Sequence, residues 1–150
     1  MATPDNATLA NDEKAISQVL DDWHLAASRA DEERYFGLMT DQSVFLGTDM
    51  TERWDKKAFR TYAHPHFAKG KAWSFRATRR AIVLAPGGQS AWFDEDLATE
   101  RLGPARGTGA LVKQAEGWRI TLYNLSIPIP NERFDAVRKL IDAAPEPKAP

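Results

Sequence analysis

Glu95 is the side chain whose neighbours best suit it for chemistry. It stands in the run Ser90–Glu100, where Ala91, Phe93, Glu95 and Leu97 form one alternating row and Trp92, Asp94, Asp96 and Ala98 form the other. The first row is apolar except for one acid, so it reads as the inward row and Glu95 is expected to point inside. A carboxylate among Phe93, Leu97 and Leu111 loses hydration and its pKa rises. That is the condition for a general acid or base near neutral pH. The competing role is a structural ion pair with an arginine, Arg106 or Arg76. Asp94 is the candidate on the opposite parity. Asp96 follows it in the same row, so a solvated acidic edge is the simpler reading for both. No third ligand stands at a spacing that would make the two a metal site.

The other chemistries have less support. His64 and His66 are two apart on a helix and face different directions; the i, i+4 pairing of a zinc helix is missing. His24 follows Trp23 at the edge of the first helix, where a lone histidine is more often packed or solvated than catalytic. The chain has 0 cysteines, which excludes disulfides, thiolate catalysis and cysteine-ligated metals. There is no nucleophile-elbow motif, phosphate-binding loop or dinucleotide glycine motif. Gly103, Gly107 and Gly109 lie in and before a strand rather than between a strand and a helix. No metal and no cofactor is expected. With 20 Lys+Arg against 21 Asp+Glu, the chain lacks the basic surface of a nucleic-acid binder. Met1–Asn11 carries no charged-then-apolar signal pattern, and no apolar run is long enough for a membrane span, so the expected location is cytoplasmic.

The elements that must hold these residues follow from periodicity. Residues 1–11 are expected to be a disordered arm, 12–142 a single domain, and 143–150 a flexible proline-rich tail. Asn11 or Asp12 is expected to cap a helix to about Arg29, with Ile16, Val19, Leu20, Trp23 and Ala27 on its buried face. Asp31 caps a second helix, Glu32–Met39. Ser43–Leu46 is a short strand, and Gly47–Glu52 is a loop. Asp55 caps a third helix, Lys56 to about Lys69, which Pro65 should kink or break near His64. Four strands follow: Trp73–Leu84, Ser90–Glu100, Arg106–Lys113 and Trp118–Ile127. Asn131 caps a last amphipathic helix bearing Phe134, Val137, Leu140 and Ile141. Helices first and an antiparallel meander after make an α+β fold with a curved sheet.

Pairing arithmetic assigns the sheet faces. A hairpin through Gln114–Gly117 sets Lys113 opposite Trp118 and Leu111 opposite Ile120. Continued, it sets Gly109 opposite Leu122 and Gly107 opposite Asn124. The inner face would then hold a glycine recess beside an amide, with Asn124 as a candidate oxyanion donor to a substrate shared with Glu95. The outer face would carry Arg106, Thr108, Ala110, Val112, Arg119, Thr121, Tyr123 and Leu125, a mixture suited to a homodimer surface. The expected pocket takes in Trp23, Trp54, Tyr62, Phe67, Phe93, Leu97 and Leu122 with the two glycines, and Thr48 and Asp49 at its mouth. Phe75 and Trp92 are further candidates for its rim. Plain core is the alternative for each aromatic, and a turn cap the alternative for Asp49.

The order of these pieces resembles the nuclear transport factor 2-like superfamily, the cone-shaped α+β fold. Within it, the chain is similar to the SnoaL-like group of uncharacterised bacterial proteins. The residues carrying the resemblance are Phe45–Asp49, Glu52–Trp54, Gly70–Trp73, Ala91–Glu95, Arg106–Gly109, Trp118–Ile120 and, most specifically, Tyr123–Asn131. The resemblance covers roughly residues 12 to 135. It implies a conical pocket between the first helix and the concave sheet, and a homodimer through the outer sheet face. Relatives with chemistry include ketosteroid isomerase, polyketide cyclases and dehydratases, which use a buried acid or histidine in the cone. The histidine that some relatives carry on the final strand is absent here, where Leu122 and Asn124 stand. The expected function is therefore binding of a small apolar or amphipathic ligand. The alternatives are a cofactor-independent isomerase, dehydratase or hydrolase with Glu95 as base, and a non-catalytic dimerisation or regulatory module.

Overall fold

The computed structural model describes residues 4–143 and 145. The first helix, α1, spans Asn6–Ser28 and is capped by Asp5, whose carboxylate accepts the Thr8 amide at 2.7 Å. It therefore starts well before the expected cap, and residues 6–11 belong to a helix rather than to a disordered arm. Asp12 lies inside α1 and does a different job. Its carboxylate accepts the Trp118 indole N–H at 3.1 Å and stands 3.2 Å from Lys113 Nζ, tying the helix to the sheet.

A short helix α2, Glu32–Gly37, leads into strand β1, Met39–Leu46. A small strand β2, Arg53–Asp55, folds back on β1 where only a loop was expected. Asp55 caps helix α3, Lys56–Ala68, by accepting the Ala58 amide at 2.8 Å, and α3 continues through Pro65 without a break. The carbonyl that loses its partner there belongs to Thr61, which is exposed, so water can satisfy it. Strands β3 (Phe75–Leu84), β4 (Ser90–Thr99), β5 (Gly103–Gln114) and β6 (Gly117–Ser126) complete the sheet. A single turn, Asn131–Arg133, and helix α4, Phe134–Asp142, follow; no side chain caps α4. Among the described residues no helix is long and apolar enough to cross a membrane.

The six strands run in the order β2-β1-β6-β5-β4-β3, all antiparallel except β1 with β6. The inward row of β4 is the one expected: Ala91, Phe93, Glu95 and Leu97 are buried. The β5–β6 register begins as expected, with Lys113 opposite Trp118 and Leu111 opposite Ile120. A bulge then inserts Thr121, so Ala110 faces Leu122, Gly109 faces Tyr123 and Gly107 faces Leu125. One extra residue exchanges the faces of everything beyond it. Tyr123 and Leu125 therefore turn inward and are buried, while Leu122 and Asn124 turn outward. The same stretch of β6 also pairs with β1, whose register slips there too, and Thr40 and Thr121 join hydroxyls at 3.1 Å. The core lies between α1 and this inner face, with the Trp23 ring centroid 4.6 Å from both the Tyr35 and the Tyr123 centroid.

Candidate functional site

Glu95 sits at the centre of a buried charge cluster. Its side chain has no exposed surface. Oε1 lies 2.6 Å from His24 Nε2 and accepts the Tyr123 hydroxyl at 2.8 Å. Oε2 accepts Arg80 Nε at 2.8 Å and lies 2.7 Å from Arg80 Nη2. Each partner is delivered by a different element: His24 by the buried face of α1, Tyr123 by the bulged β6, and Arg80 by β3, directly opposite Glu95 in the ladder. Arg80 continues the chain of contacts. Its Nη1 donates to Ser17 Oγ at 2.8 Å and to the Ser17 carbonyl at 3.1 Å, and it lies 2.9 Å from Asp21 Oδ1.

The electrostatics reverse the expectation for Glu95. Burial is the largest single influence and pushes its pKa up, but the hydrogen bond and charge of His24 and the charge and hydrogen bond of Arg80 together outweigh it. The carboxyl is held below its ordinary value. Glu95 is an ionised acceptor whose lone pairs are committed, not a general base poised near neutral pH. The ion pair is formed, and Arg80, not Arg106 or Arg76, is the partner. Burial, reinforced by the adjacent Glu95 charge, raises the Tyr123 phenol well above its usual range, so Tyr123 remains a donor. Because an ionised carboxylate can only accept, His24 carries a proton on Nε2; the hydrogen-bond network fixes that assignment. His24 Nδ1 is buried and meets no hydrogen-bond partner among the described residues.

The glycine recess exists but is filled. A Cβ on Gly107 would overlap the Tyr123 hydroxyl and come within 3.1 Å of Glu95 Oε1; one on Gly109 would overlap the Leu122 carbonyl. Gly107 admits the Tyr123 ring to the cluster and Gly109 admits the backbone of the bulged strand, so neither leaves room for a ligand. Asn124, on the outer face, is not an oxyanion donor to anything Glu95 could touch. Asp94 and Asp96 are also on that face, both held by Arg79, with Asp96 Oδ2 2.9 Å from Arg79 Nε. No group of three or more metal-ligating residues forms among the described residues.

An aromatic cavity lies beside the cluster. It measures about 320 Å³ and opens between the β1–β2 loop, α3, residues 71–75 and the turn 99–102. Its walls are the rings of Phe45, Trp54, Phe59, Tyr62, Trp73 and Phe75. Trp54 stacks on Tyr62 with centroids 4.6 Å apart, and Phe45 on Phe59 at 4.1 Å. Glu52, Thr48, His66, Lys71 and Arg101 supply polar groups to the lining. Phe75 joins cavity and cluster: it lines the first, and its ring centroid is 6.3 Å from that of His24.

Of the residues expected in the pocket, Thr48, Trp54 and Tyr62 line this cavity, as does Phe75. Trp23, Phe67, Phe93 and Leu97 are core. Asp49 is exposed and caps its own loop, accepting the Thr51 amide at 2.8 Å and hydroxyl at 2.6 Å. Trp92 and Leu122 face outward, and Tyr123 and Leu125 are too deeply buried to serve the outer-face interface expected of them. Sequence reasoning missed Arg80 and Tyr123, and it set His24 aside. A count across the Pro86–Gln89 turn, with Leu84 opposite Ala91, reaches Arg80 opposite Glu95 and would have found the first.

Comparison with known proteins bears on the fold. A family model described as a SnoaL-like domain matches residues 16–130. No curated protein sequence matches. Among solved structures, a protein from Novosphingobium aromaticivorans, assigned provisionally as a scytalone dehydratase, superposes with a TM-score of 0.70 at 12% identity, over 83% of this chain and 89% of that one. A protein of unknown function from Mycobacterium tuberculosis gives 0.68 at 18% identity, over 89% and 81%. A nuclear transport factor 2-like protein of unknown function from Pseudomonas putida gives 0.67 at 15% identity, over 87% and 93%. At these identities the likeness is one of fold. With the matched segment running from α1 to the end of the sheet, the chain belongs to the SnoaL-like domain family, on the nuclear transport factor 2-like fold.

Proposed function

We propose that the protein binds a small, planar, largely apolar molecule in the aromatic cavity. The observation that carries this reading is the set of six rings walling about 320 Å³, a volume at the lower end of the range for small-molecule sites. Stacked rings present flat faces, which favour a flat ligand. The polar groups of the lining give such a ligand an orientation. Saturable binding of an environment-sensitive aromatic dye, with a rise in melting temperature, tests this. Ala72→Phe, which places a ring in the lining, should weaken dye binding at least tenfold while leaving the fold intact. Absence of saturable binding by the parent protein overturns the reading.

A second reading, proton-transfer catalysis, is favoured by the bare Nδ1 of His24. Glu95 would then be the positioning residue and His24 the group that takes the proton, reached by a ligand that displaces Phe75. Isotope-labelled His24 followed by NMR tests this: its Nδ1 resonance should shift on dye binding, and an unmoved resonance counts against it.

The outer face supports self-association. Val83 and Trp92 are 45% and 51% exposed and stand in one row with Ala110, Leu122 and Val44. That row, rather than Tyr123 and Leu125, is the surface a second copy would cover.

A further inference from the structure

We propose that α4 is an exchanged arm, docking its apolar stripe on the outer sheet face of a second copy of this chain while receiving that copy's α4 in return. The proposal rests on the reading of the outer face as a self-association surface, and it says what covers that face.

α4 is an amphipathic helix without a core. Phe134, Val137, Leu140 and Ile141 fall on one stripe by their spacing. Phe134 is 55% exposed, Leu140 76% and Ile141 68%, and no residue of α4 is buried. Helices shorter than about 12 residues are marginal in water without tertiary packing, and α4 has 9 residues and no side-chain cap. Among the described residues no surface buries that stripe. The link from β6 is stiff. Ile127–Pro130 contains Pro128 and Pro130, and Pro130 is extended at φ −56° and ψ 137°, so two of its four residues have fixed φ and no donor.

The receiving surface is on the same chain. Strand pairing aligns Val83, Trp92, Ala110, Leu122 and Val44 across five strands of the outer face. Ala110 lies between Trp92 and Leu122, and Ala81 and Thr108 flank Asp94 in the next row, so the middle of the face has low side chains where a helix can lie. With the linker included, the exposed parts of Val83, Trp92, Ile127, Ile129, Phe134, Leu140 and Ile141 come to on the order of 700 Å², within the roughly 600–1,000 Å² that one partner gives to a standard interface. Either surface alone falls well short of that. A twofold arrangement uses both surfaces of both copies and closes, leaving neither half exposed. A second copy is thus the occupant that satisfies both unpartnered surfaces at once.

The absence of native cysteine makes the test clean. Light scattering of the full chain at micromolar concentration should give a dimer, and Leu140→Asp with Ile141→Asp should raise the dimer Kd about 30-fold or more. Ala110→Cys protein is then mixed with Val137→Cys protein under mild oxidation. The expected product is the mixed disulfide between the two differently substituted chains. A dimer that yields only the Ala110→Cys self-disulfide means sheet packed on sheet, which overturns arm exchange and leaves outer-face association standing. Only the Val137→Cys self-disulfide, or no disulfide from a proven dimer, likewise overturns the exchange. A monomer at micromolar concentration overturns both readings.

Discussion

His24 Nε2 and Glu95 Oε1 are 2.6 Å apart, buried, and separated by 71 residues of sequence. That contact pins α1 to the middle of β4, and Arg80 completes the clamp from the next strand. The carboxylate neutralises Arg80, whose side chain is only 9% exposed. Glu95→Gln keeps the shape but leaves that cation with only the exposed carboxylate of Asp21 beside it. The expected loss is about 3–5 kcal/mol of unfolding free energy, measured by urea titration. Replacing Glu95 and Arg80 together with leucine should recover part of it, since the stranded charge is gone. A Glu95→Gln protein within about 1 kcal/mol of the parent would show that the cluster contributes little beyond packing.

The same cluster sets an acid limit. The Glu95 carboxyl is held below its ordinary value of 4.5 when folded. Below that value the unfolded chain takes up a proton that the native chain still refuses, so stability falls as pH falls. The contribution is complete above about pH 4.5 and is lost as pH drops through the depressed folded pKa. Melting temperature followed downward from neutral pH should fall more steeply for the parent than for Glu95→Gln. Parallel curves would mean that other carboxylates carry the acid sensitivity.

The parity of β4 was legible because one row is apolar but for a single acid, and burial of Ala91, Phe93 and Leu97 follows that pattern. The family resemblance was legible in the order of short segments. The parity of β6 was not, because nothing in Thr121-Leu122-Tyr123 announces a bulge. Alternation reads equally well on either side of an inserted residue, and the insertion answers to the pairing of β1 with β6, which is a tertiary event. The fate of Glu95 was half legible. Its burial followed from pattern, but the sign of its pKa shift depended on His24 and Arg80, brought from positions far along the chain. The early start of α1 was missed because residues 6–11, Asn-Ala-Thr-Leu-Ala-Asn, have no buried apolar stripe, and the helix there is held by the Asp5 cap and the Asp12–Trp118 bond. The cavity was only partly legible, since segments 71–75 and 99–102 meet α3 through the fold and not through any local pattern.

Gly107 offers the sharpest test of the bulged register. In the observed structure a Cβ there collides with the Tyr123 hydroxyl and crowds Glu95. Had Asn124 stood inward instead, the same Cβ would have entered the expected recess at little cost. Gly107→Ala should therefore destabilise by roughly 1–3 kcal/mol or more, the range for forcing atoms into a filled interior. Gly37→Ala is the control. Its Cβ meets nothing within 4 Å, and it lies in α2 without a positive φ. That change should be neutral or should stabilise by up to about 1 kcal/mol. Shrinking the obstacle separates collision from a general intolerance of side chains at position 107. Tyr123→Leu removes the ring tip, so Gly107→Ala should cost distinctly less in that background, and a double-mutant cycle in urea measures the difference. Equal costs in both backgrounds would place Tyr123 away from Gly107 and return β6 to the register without the bulge.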